Sequence, residues 1–167
     1  MIMKTLFLVR HAKSSWENPG LSDKERPLNP RGERDAPRMG KRLAARNVKP
    51  DILISSPALR ARSTSIKIAA EIAYPEADIQ INDQLYFEGT SGMLDVIHGL
   101  DPTIRTAMLF GHNPTMTDLV NDLAGTDIDN VPTCGIAEIK FDVDTWEAVV
   151  EGKGEMELFD YPKRVDD

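Results

Sequence analysis

The sequence is poor in three features that would point to a particular environment or partner. Its 167 residues include one cysteine, Cys134, which excludes a disulfide within the chain and zinc sites built on cysteine pairs. No apolar run approaches the roughly 20 residues needed to span a bilayer, and the one at the N-terminus is too short for a secretory signal. Positive charge is in deficit, since 20 Lys and Arg stand against 27 Asp and Glu. These absences predict a cytoplasmic protein that binds neither nucleic acid nor an anionic membrane.

The length and composition are those of a folded domain. Hydrophobic residues make up 41% of the chain and charged residues 28%, which is ordinary for a globular protein. A chain of this length is large enough to bury a core without disulfides or metals. No repeat, low-complexity tract or linker divides it. We therefore predict a single domain over residues 1–167, in which residues 160–167 form a charged, mobile tail.

Short apolar runs alternate with helical patterns along most of the chain. Continuous apolar runs are typical of buried parallel strands, and we predict such strands at residues 5–9, 51–55 and 106–110. Helices are predicted at residues 30–46, 58–72, 91–98 and 115–124. The remaining strands are a short edge strand at 78–81 and a hairpin formed by 135–142 and 146–151, to which 155–159 adds a little more. The alternation predicts an α/β fold, a three-layer sandwich around a mainly parallel central sheet.

The residues that follow the buried strands are the candidates for ligand binding and catalysis. Ligands of open α/β sheets bind beyond the carboxyl ends of the strands. Arg10 and His11 follow the first buried strand, Arg60 lies near the start of the helix after the second, and His112 follows the third. Arginine presents a fork of donors that matches phosphate oxygens, and a neutral imidazole can attack phosphorus. The pattern predicts a pocket for a doubly charged oxyanion that needs neither a metal nor another cofactor.

Each of these residues, taken alone, also has an ordinary structural explanation. An Arg-His pair is common after a strand, Arg60 fits a solvated helix position, and Gly111-His112-Asn113-Pro114 fits a turn. The third histidine, His98, fits a surface or capping position. The combination favours a functional site, because three separate strand ends bring phosphate-binding residues to one edge of the predicted sheet.

The same segments resemble the motifs of the histidine phosphatase superfamily, which includes the phosphoglycerate mutases. Four stretches are similar to its arginine-histidine signature, its second arginine motif, its second histidine motif and the opening of its first helix: Val9–Ala12, Ser56–Thr64, Gly111–Pro114 and Arg26–Gly32. The resemblance covers roughly residues 5–120, and the motifs occur in the family's order. It implies a phosphoglycerate mutase-like fold and a phosphohistidine intermediate.

The resemblance also implies a role for each matching residue. His11 would be the phosphorylated nucleophile, and Arg10 and Arg60 would clamp the phosphate. His112 would donate to the transferring oxygens and stabilise the transition state. These four residues are the predicted catalytic residues.

Three residues of the following loop are predicted to bind substrate. Ser14 and Trp16 align with a mutase-like run that follows the signature, and Lys13 adds positive charge at the pocket mouth. Ala12 replaces the glycine of the signature, which should be tolerated unless the backbone there needs a positive φ.

The general acid is the least defined part of the predicted site. Ester-cleaving members of the family often place a carboxylic acid between the second arginine and second histidine motifs, because an alkoxide leaving group must be protonated. Glu88 is the candidate general acid, and Asp83 is a weaker one. The stretch Leu85-Tyr86-Phe87-Glu88 does not match the mutase pattern well, however. An ordinary solvated position in a loop explains Glu88 as well as a role as general acid does.

The compact chain resembles the SixA-type phosphohistidine phosphatases, which are short and lack an obvious catalytic acid. We therefore expect a phosphatase that acts on protein phosphohistidine. A phosphomonoesterase for a small phosphate ester is the alternative, and a non-catalytic phosphate-binding module is a third possibility. A mutase is least favoured, because it must retain its intermediate in a closed site. The sequence leaves the oligomeric state open.

Overall fold

One central sheet of six strands organises the fold. The computed structural model describes residues 3–164. The strands are β1 (Met3–Arg10), β2 (Ile52–Ser55), β3 (Gln80–Ile81), β4 (Thr106–Gly111), β5 (Ile136–Asp142) and β6 (Glu155–Asp160). They lie in the order β3-β2-β4-β1-β5-β6. The first four are parallel, β5 is antiparallel to β1, and β6 is antiparallel to β5. The predicted α/β fold with a mainly parallel sheet is confirmed.

Helices cover both faces of this sheet. They are α1 (Pro30–Ala45), α2 (Leu59–Glu71), α3 (Gln84–Phe87), α4 (Gly89–His98) and α5 (Thr115–Ala124). Short 3₁₀ turns add Asp23–Glu25, Glu76–Asp78 and Trp146–Ala148. Within residues 3–164, none of the helices has the length and apolar character required to cross a membrane.

The central strand β1 separates two apolar cores. Leu6 and Leu8 pack with buried residues of α4 and α5, whereas Phe7 and Val9 pack with buried residues of α1 and α2. Successive side chains of a strand point to opposite faces, so a strand covered on both sides is apolar throughout. This explains the continuous apolar run in the sequence and gives the three predicted layers.

The start of α1 lies directly against the segment that follows β1. The Asn29 side chain caps the helix by accepting a hydrogen bond from the Gly32 N–H at 2.9 Å, and Pro30 occupies the first helical position. A Cβ atom on Gly32 would lie 2.2 Å from the Lys13 carbonyl oxygen. Glycine is therefore required here so that α1 can pack closely against residue 13.

The predicted hairpin of residues 135–142 and 146–151 is wrong in its second strand. Residues 146–148 form a 3₁₀ turn, and β5 pairs instead with β6, which begins at Glu155. The Trp146 side chain is fully buried, and its Nε1 donates to the Ile104 carbonyl at 2.9 Å. Because this indole is buried against the sheet, residues 146–148 turn away from β5 and do not pair with it. A second difference is the helical turn α3, which occupies part of the loop predicted around residues 83–91.

The end of the chain packs against α1 as far as the structure describes it. Arg42 of α1 donates from Nη1 to Asp160 Oδ1 at 3.0 Å and to the Tyr161 carbonyl at 2.9 Å. The last part of the predicted tail, residues 165–167, lies outside the described residues.

Candidate active site

The carboxyl ends of β1, β2 and β4 meet at one edge of the sheet. Arg10 is aligned with Gly111, and Ser55 with Phe110, so the residues that follow these strands are neighbours. A cavity of about 180 Å³ lies at this edge. It is lined by Arg10, His11, Lys13, Ser14, Trp16, Arg26, Arg60, His112, Asn113 and Thr133. The structure thus brings together the four predicted catalytic residues and the three predicted substrate-binding residues.

His11 is held rigidly at the floor of the cavity. Its backbone N–H donates to the Gly111 carbonyl at 3.1 Å, and its carbonyl accepts from the Cys134 N–H at 2.9 Å. The ring is nearly buried, and Nδ1 donates to the Ala12 carbonyl at 2.7 Å. Since Nδ1 carries the proton in this arrangement, Nε2 holds the lone pair.

Its surroundings keep the His11 imidazole neutral. Burial lowers the pKa of His11 to about 3, and the hydrogen bond to Ala12 opposes this only in part. His112 and the charges of Arg60 and Arg10 are smaller causes of the same lowered pKa. A neutral imidazole with a free Nε2 is the form that can act as a nucleophile.

The second histidine lies beside the first. The ring centroids of His11 and His112 are 5.1 Å apart, and His112 Nε2 lies 2.7 Å from Ser56 Oγ. Ser56 Oγ also accepts from the Ala58 N–H, so its own proton is available to His112 Nε2. In the neutral ring, the imidazole proton then resides on Nδ1. Burial and the charge of Arg60 lower the pKa of His112 to about 4, while Asp23 opposes the shift.

Two buried polar atoms of cavity residues lack a protein partner. Within residues 3–164, Arg10 Nε and His112 Nδ1 make no hydrogen bond, although Arg10 Nη1 donates to the Val131 carbonyl at 2.9 Å. A buried donor without a partner is costly, so such atoms call for an explanation. Both atoms carry a proton to donate, and an oxyanion bound in the cavity would accept hydrogen bonds from them.

The second arginine motif supports the site in two ways. Arg60 is nearly buried and reaches the cavity from the first turn of α2. Thr64, one turn later, has an Oγ1 that accepts from the Ala12 N–H at 2.9 Å and donates to the Arg60 carbonyl at 2.7 Å. Ala12 is buried and is not among the residues with positive φ, so its replacement of glycine is tolerated, as predicted.

The loop residues form the mouth of the cavity. Ser14 is nearly buried, and its Oγ accepts a short hydrogen bond from Arg26 Nη2. Trp16 is 75% exposed, and its ring centroid lies 3.3 Å from the Arg26 guanidinium carbon. Such a cation–π contact fixes the arginine and leaves one face of the indole open. Lys13 completes this rim with an exposed positive charge.

Sequence reasoning missed three cavity residues: Arg26, Asn113 and Thr133. The sequence places Arg26 in the segment that opens α1 and Asn113 in the turn and histidine motif around His112, and it predicts no substrate contact for either residue. Thr133 precedes β5, which is antiparallel to β1, so the beginning of that strand lies at the same edge as the end of β1. The rule that ligands bind beyond the carboxyl ends of parallel strands does not cover the start of an antiparallel neighbour such as β5.

The structure does not bring Glu88 into the cavity. Glu88 is exposed at the junction of α3 and α4, and Asp83 is exposed just before α3. The helical turn of α3 separates these two positions and places neither among the cavity-lining residues. Among residues 3–164, no group of three or more His, Cys, Asp and Glu side chains is arranged to hold a metal ion.

The cavity has two histidines and three arginines around it and lies at the carboxyl edge of a mainly parallel sheet. These features are those of an α/β protein that binds a phosphate group. A family model of the histidine phosphatase superfamily (branch 1) matches residues 6–86, and the chain belongs to this superfamily, in its SixA-type branch. The membership, together with the similarity to SixA structures, supports a phosphatase that acts on a phosphorylated substrate.

Individual proteins are similar to this chain over most of its length. The uncharacterized protein Rv1276c of Mycobacterium tuberculosis is 30% identical over 165 residues, which cover 93% of this chain and all of that protein. A protein of Agrobacterium tumefaciens, assigned as the phosphohistidine phosphatase SixA, is 28% identical with a TM-score of 0.81 over 95% of this chain and 98% of that one. The protein histidine phosphatase SixA in complex with tungstate has the same fold, with a TM-score of 0.76 and 21% identity over 95% and 97%.

Proposed function

We propose that the protein hydrolyses phosphohistidine on proteins by transferring the phosphoryl group to His11. The observation that carries the proposal is the composition of the cavity. None of the ten residues that line it is a carboxylic acid. A site without a carboxylic acid suits a substrate whose leaving group does not need to be protonated at the bond that breaks.

In the first step, the lone pair of His11 Nε2 attacks phosphorus. A P–N bond to Nε2 forms, and the P–N bond to the substrate imidazole breaks. When the other ring nitrogen of the substrate carries a proton, the leaving group departs as neutral imidazole and takes its electron pair with it. Arg10, Arg26 and Arg60 place positive charge around the phosphoryl oxygens, and His112 donates from Nδ1, as a positioned electrostatic site requires.

In the second step, water attacks the phosphorylated His11. A P–O bond forms, the bond between phosphorus and Nε2 breaks, and inorganic phosphate leaves with the oxygen and protons of the water. Neutral His11 is restored with its proton still on Nδ1, where the Ala12 carbonyl holds it. The arginines supply the charge in both steps, so the proposal needs no metal ion.

The size of the cavity supports a protein substrate. A volume of about 180 Å³ is below the roughly 300–1,000 Å³ of sites that enclose a small-molecule ligand. The cavity therefore takes the phosphoryl group and its immediate neighbour, while the remainder of the substrate lies outside. Lys13 and the exposed ring of Trp16 are then placed to contact that remainder.

The test is a comparison of substrates in buffer that contains EDTA. Initial rates are measured on a phosphohistidine protein, on p-nitrophenyl phosphate and on a sugar phosphate. We expect phosphohistidine and the aryl phosphate to be cleaved, because their leaving groups are good. The sugar phosphate should be slower by about a hundredfold or more, the contribution of a missing general acid.

The Glu88→Gln variant separates the proposal from the small-metabolite alternative. The proposal predicts unchanged rates on all three substrates, because Glu88 lies outside the cavity. A general acid at this position predicts a loss of about a hundredfold on the sugar phosphate. That loss, or a sugar phosphate that is the best substrate of the wild type, would refute the proposal.

A further inference from the structure

Asp23 connects three separate parts of the chain behind the cavity. It belongs to the 3₁₀ turn in the loop between β1 and α1. Its carbonyl accepts from Arg60 Nη1 at 2.7 Å, and its Oδ2 accepts from Arg60 Nη2 at 3.0 Å. Its Oδ1 accepts from Arg26 Nη1 at 3.0 Å, and the Tyr86 hydroxyl of α3 donates to Oδ2. One residue therefore binds two of the three arginines of the cavity.

The position of Asp23 relative to the cavity determines what these bonds can do. Arg26 and Arg60 line the cavity, whereas Asp23 does not. Asp23 uses one N–H of each Nη of Arg60, so each of these nitrogens keeps a second N–H for a phosphate. A two-point contact to Nη1 and Nη2 fixes both the position and the plane of the Arg60 guanidinium.

The other hydrogen bonds of this loop are mainly local, such as those from the Ser15 N–H to the Pro27 carbonyl and from Arg26 Nε to the Ser15 carbonyl. Between β1 and α1, its ladder contact is a single bridge that joins Ser14 to Leu28. The Asp23 bonds span 37 residues to Arg60 and 63 residues to Tyr86, so they tie the loop to distant elements. Burial works to raise the pKa of the Asp23 carboxyl, but the hydrogen bonds from Tyr86, Arg60 and Arg26 hold it well below its usual value. Asp23 is consequently ionised at neutral pH.

We infer that Asp23 is a positioning residue that orients the Arg60 guanidinium, and with it Arg26, for phosphate binding. The inference rests on the proposed function in so far as the cavity binds phosphate. Positioning and a simple electrostatic effect predict opposite changes in phosphate affinity when Asp23 is replaced. Removing a negative charge beside the cavity would by itself strengthen anion binding, whereas loss of positioning weakens it.

The experiment measures inhibition by inorganic phosphate and turnover of p-nitrophenyl phosphate in Asp23→Ala and Asp23→Asn. We expect Asp23→Ala to raise the inhibition constant for phosphate and the KM by about tenfold, the effect of losing a hydrogen bond to a charged group. Asp23→Asn, which retains one acceptor, should lie between Asp23→Ala and the wild type. Thermal unfolding of each variant shows that the fold is retained.

The matched control is Glu25→Ala, which removes an acidic side chain from the same turn. Glu25 bonds to Ser22 and to no arginine of the cavity. This variant should leave both constants at their wild-type values. Tighter phosphate binding in Asp23→Ala, or an equal change in Glu25→Ala, would overturn the inference.

A double-mutant cycle shows whether Asp23 acts through Arg60. If it does, Asp23→Ala raises the KM clearly less in the Arg60→Ala background than in the wild type, because only its contact with Arg26 is then left to lose. Fully additive effects would mean that Asp23 does not act through Arg60, and would also overturn the inference. Both readouts use simple phosphates, so they stay informative if phosphohistidine proves not to be the substrate.

Discussion

His11 shows how a single backbone contact can decide which atom reacts. The bond from Nδ1 to the Ala12 carbonyl fixes the tautomer, and burial with nearby positive charge keeps the ring neutral. Both effects depend on the path of the chain after β1, which the Gly111 carbonyl and the Thr64 hydroxyl hold in place. The place of His11 in the cavity was predictable from the sequence, but the nitrogen that is proposed to react was not, because it depends on this local backbone geometry.

A prediction at the same scale concerns Ser56, whose hydroxyl holds His112. We expect Ser56→Ala to lower kcat by about tenfold, because the hydrogen bond that orients Nε2 and leaves the proton on Nδ1 is lost. The measurement is steady-state turnover of p-nitrophenyl phosphate. Ser55→Ala is the matched control, since Ser55 is equally buried but donates to the Ser56 carbonyl and not to His112. Equal losses in the two variants would show that the Ser56 hydroxyl has no specific role.

Single residues also show where sequence reasoning reached its limit. His11, Arg10 and His112 follow buried strands, so the general rule for α/β sheets was sufficient to place them. Asp23 had no such signal, because its contacts are with Arg60 and Tyr86, which lie 37 and 63 positions further along the chain. Long-range contacts of loop residues are set by the complete fold and are not visible in a local pattern.

At the scale of elements, the strands buried on both faces were the most predictable. β1, β2 and β4 are continuous apolar runs, and such runs have few alternatives in a chain of this composition. The C-terminal strands were less predictable, because residues 146–150 are apolar enough to resemble a strand. In the structure, Trp146 and Val149 are buried there within a 3₁₀ turn and its C-cap instead. The predicted strand at 146–151 is therefore wrong, and the partner of β5 is β6.

The contact of α1 with the active-site segment illustrates how one element positions another. Asn29 both caps α1 and donates its backbone N–H to the Lys13 carbonyl at 2.9 Å. Gly32 allows the helix to approach that same carbonyl. The helix start was predicted from Asn29-Pro30, whereas its role as a support for residues 11–13 required the structure.

At the scale of the whole molecule, charge is distributed unevenly. The chain carries a net charge of −7, yet the cavity is lined by three arginines and a lysine and by no carboxylate. Positive charge is thus concentrated where the proposal places the phosphoryl group. The net negative charge of the chain disfavours nonspecific binding to polyanions, whereas the cavity is suited to an anionic ligand.

The two active-site histidines make stability depend on pH. Their pKa values are about 3 for His11 and about 4 for His112 in the folded state, against an ordinary value of 6.5. Below pH 6.5 the unfolded chain takes up protons that the folded chain does not, so the free energy of unfolding falls as the pH falls. By pH 5 the loss should be about 2 kcal/mol for each of the two histidines.

Urea unfolding at pH 7.5 and at pH 5 measures this loss. In the variant that carries both His11→Gln and His112→Gln, the loss between the two pH values should be smaller by about 4 kcal/mol, because neither glutamine titrates. Asp23 does not contribute in this range, since its carboxyl is ionised in both states. The same loss in the variant as in the wild type would show that the two histidines are not held neutral by the fold.

The central claim is that Nε2 of His11 receives the phosphoryl group, and trapping the intermediate tests it most directly. The enzyme is mixed with p-nitrophenyl phosphate, quenched in alkali during turnover, and examined by peptide mass spectrometry and phosphorus NMR. The account predicts one phosphoryl group on the peptide that contains His11, with the NMR signature of Nε2-phosphohistidine. It also predicts no label and no turnover in His11→Ala. Label on another residue, on Nδ1, or in an active His11→Ala variant would contradict it.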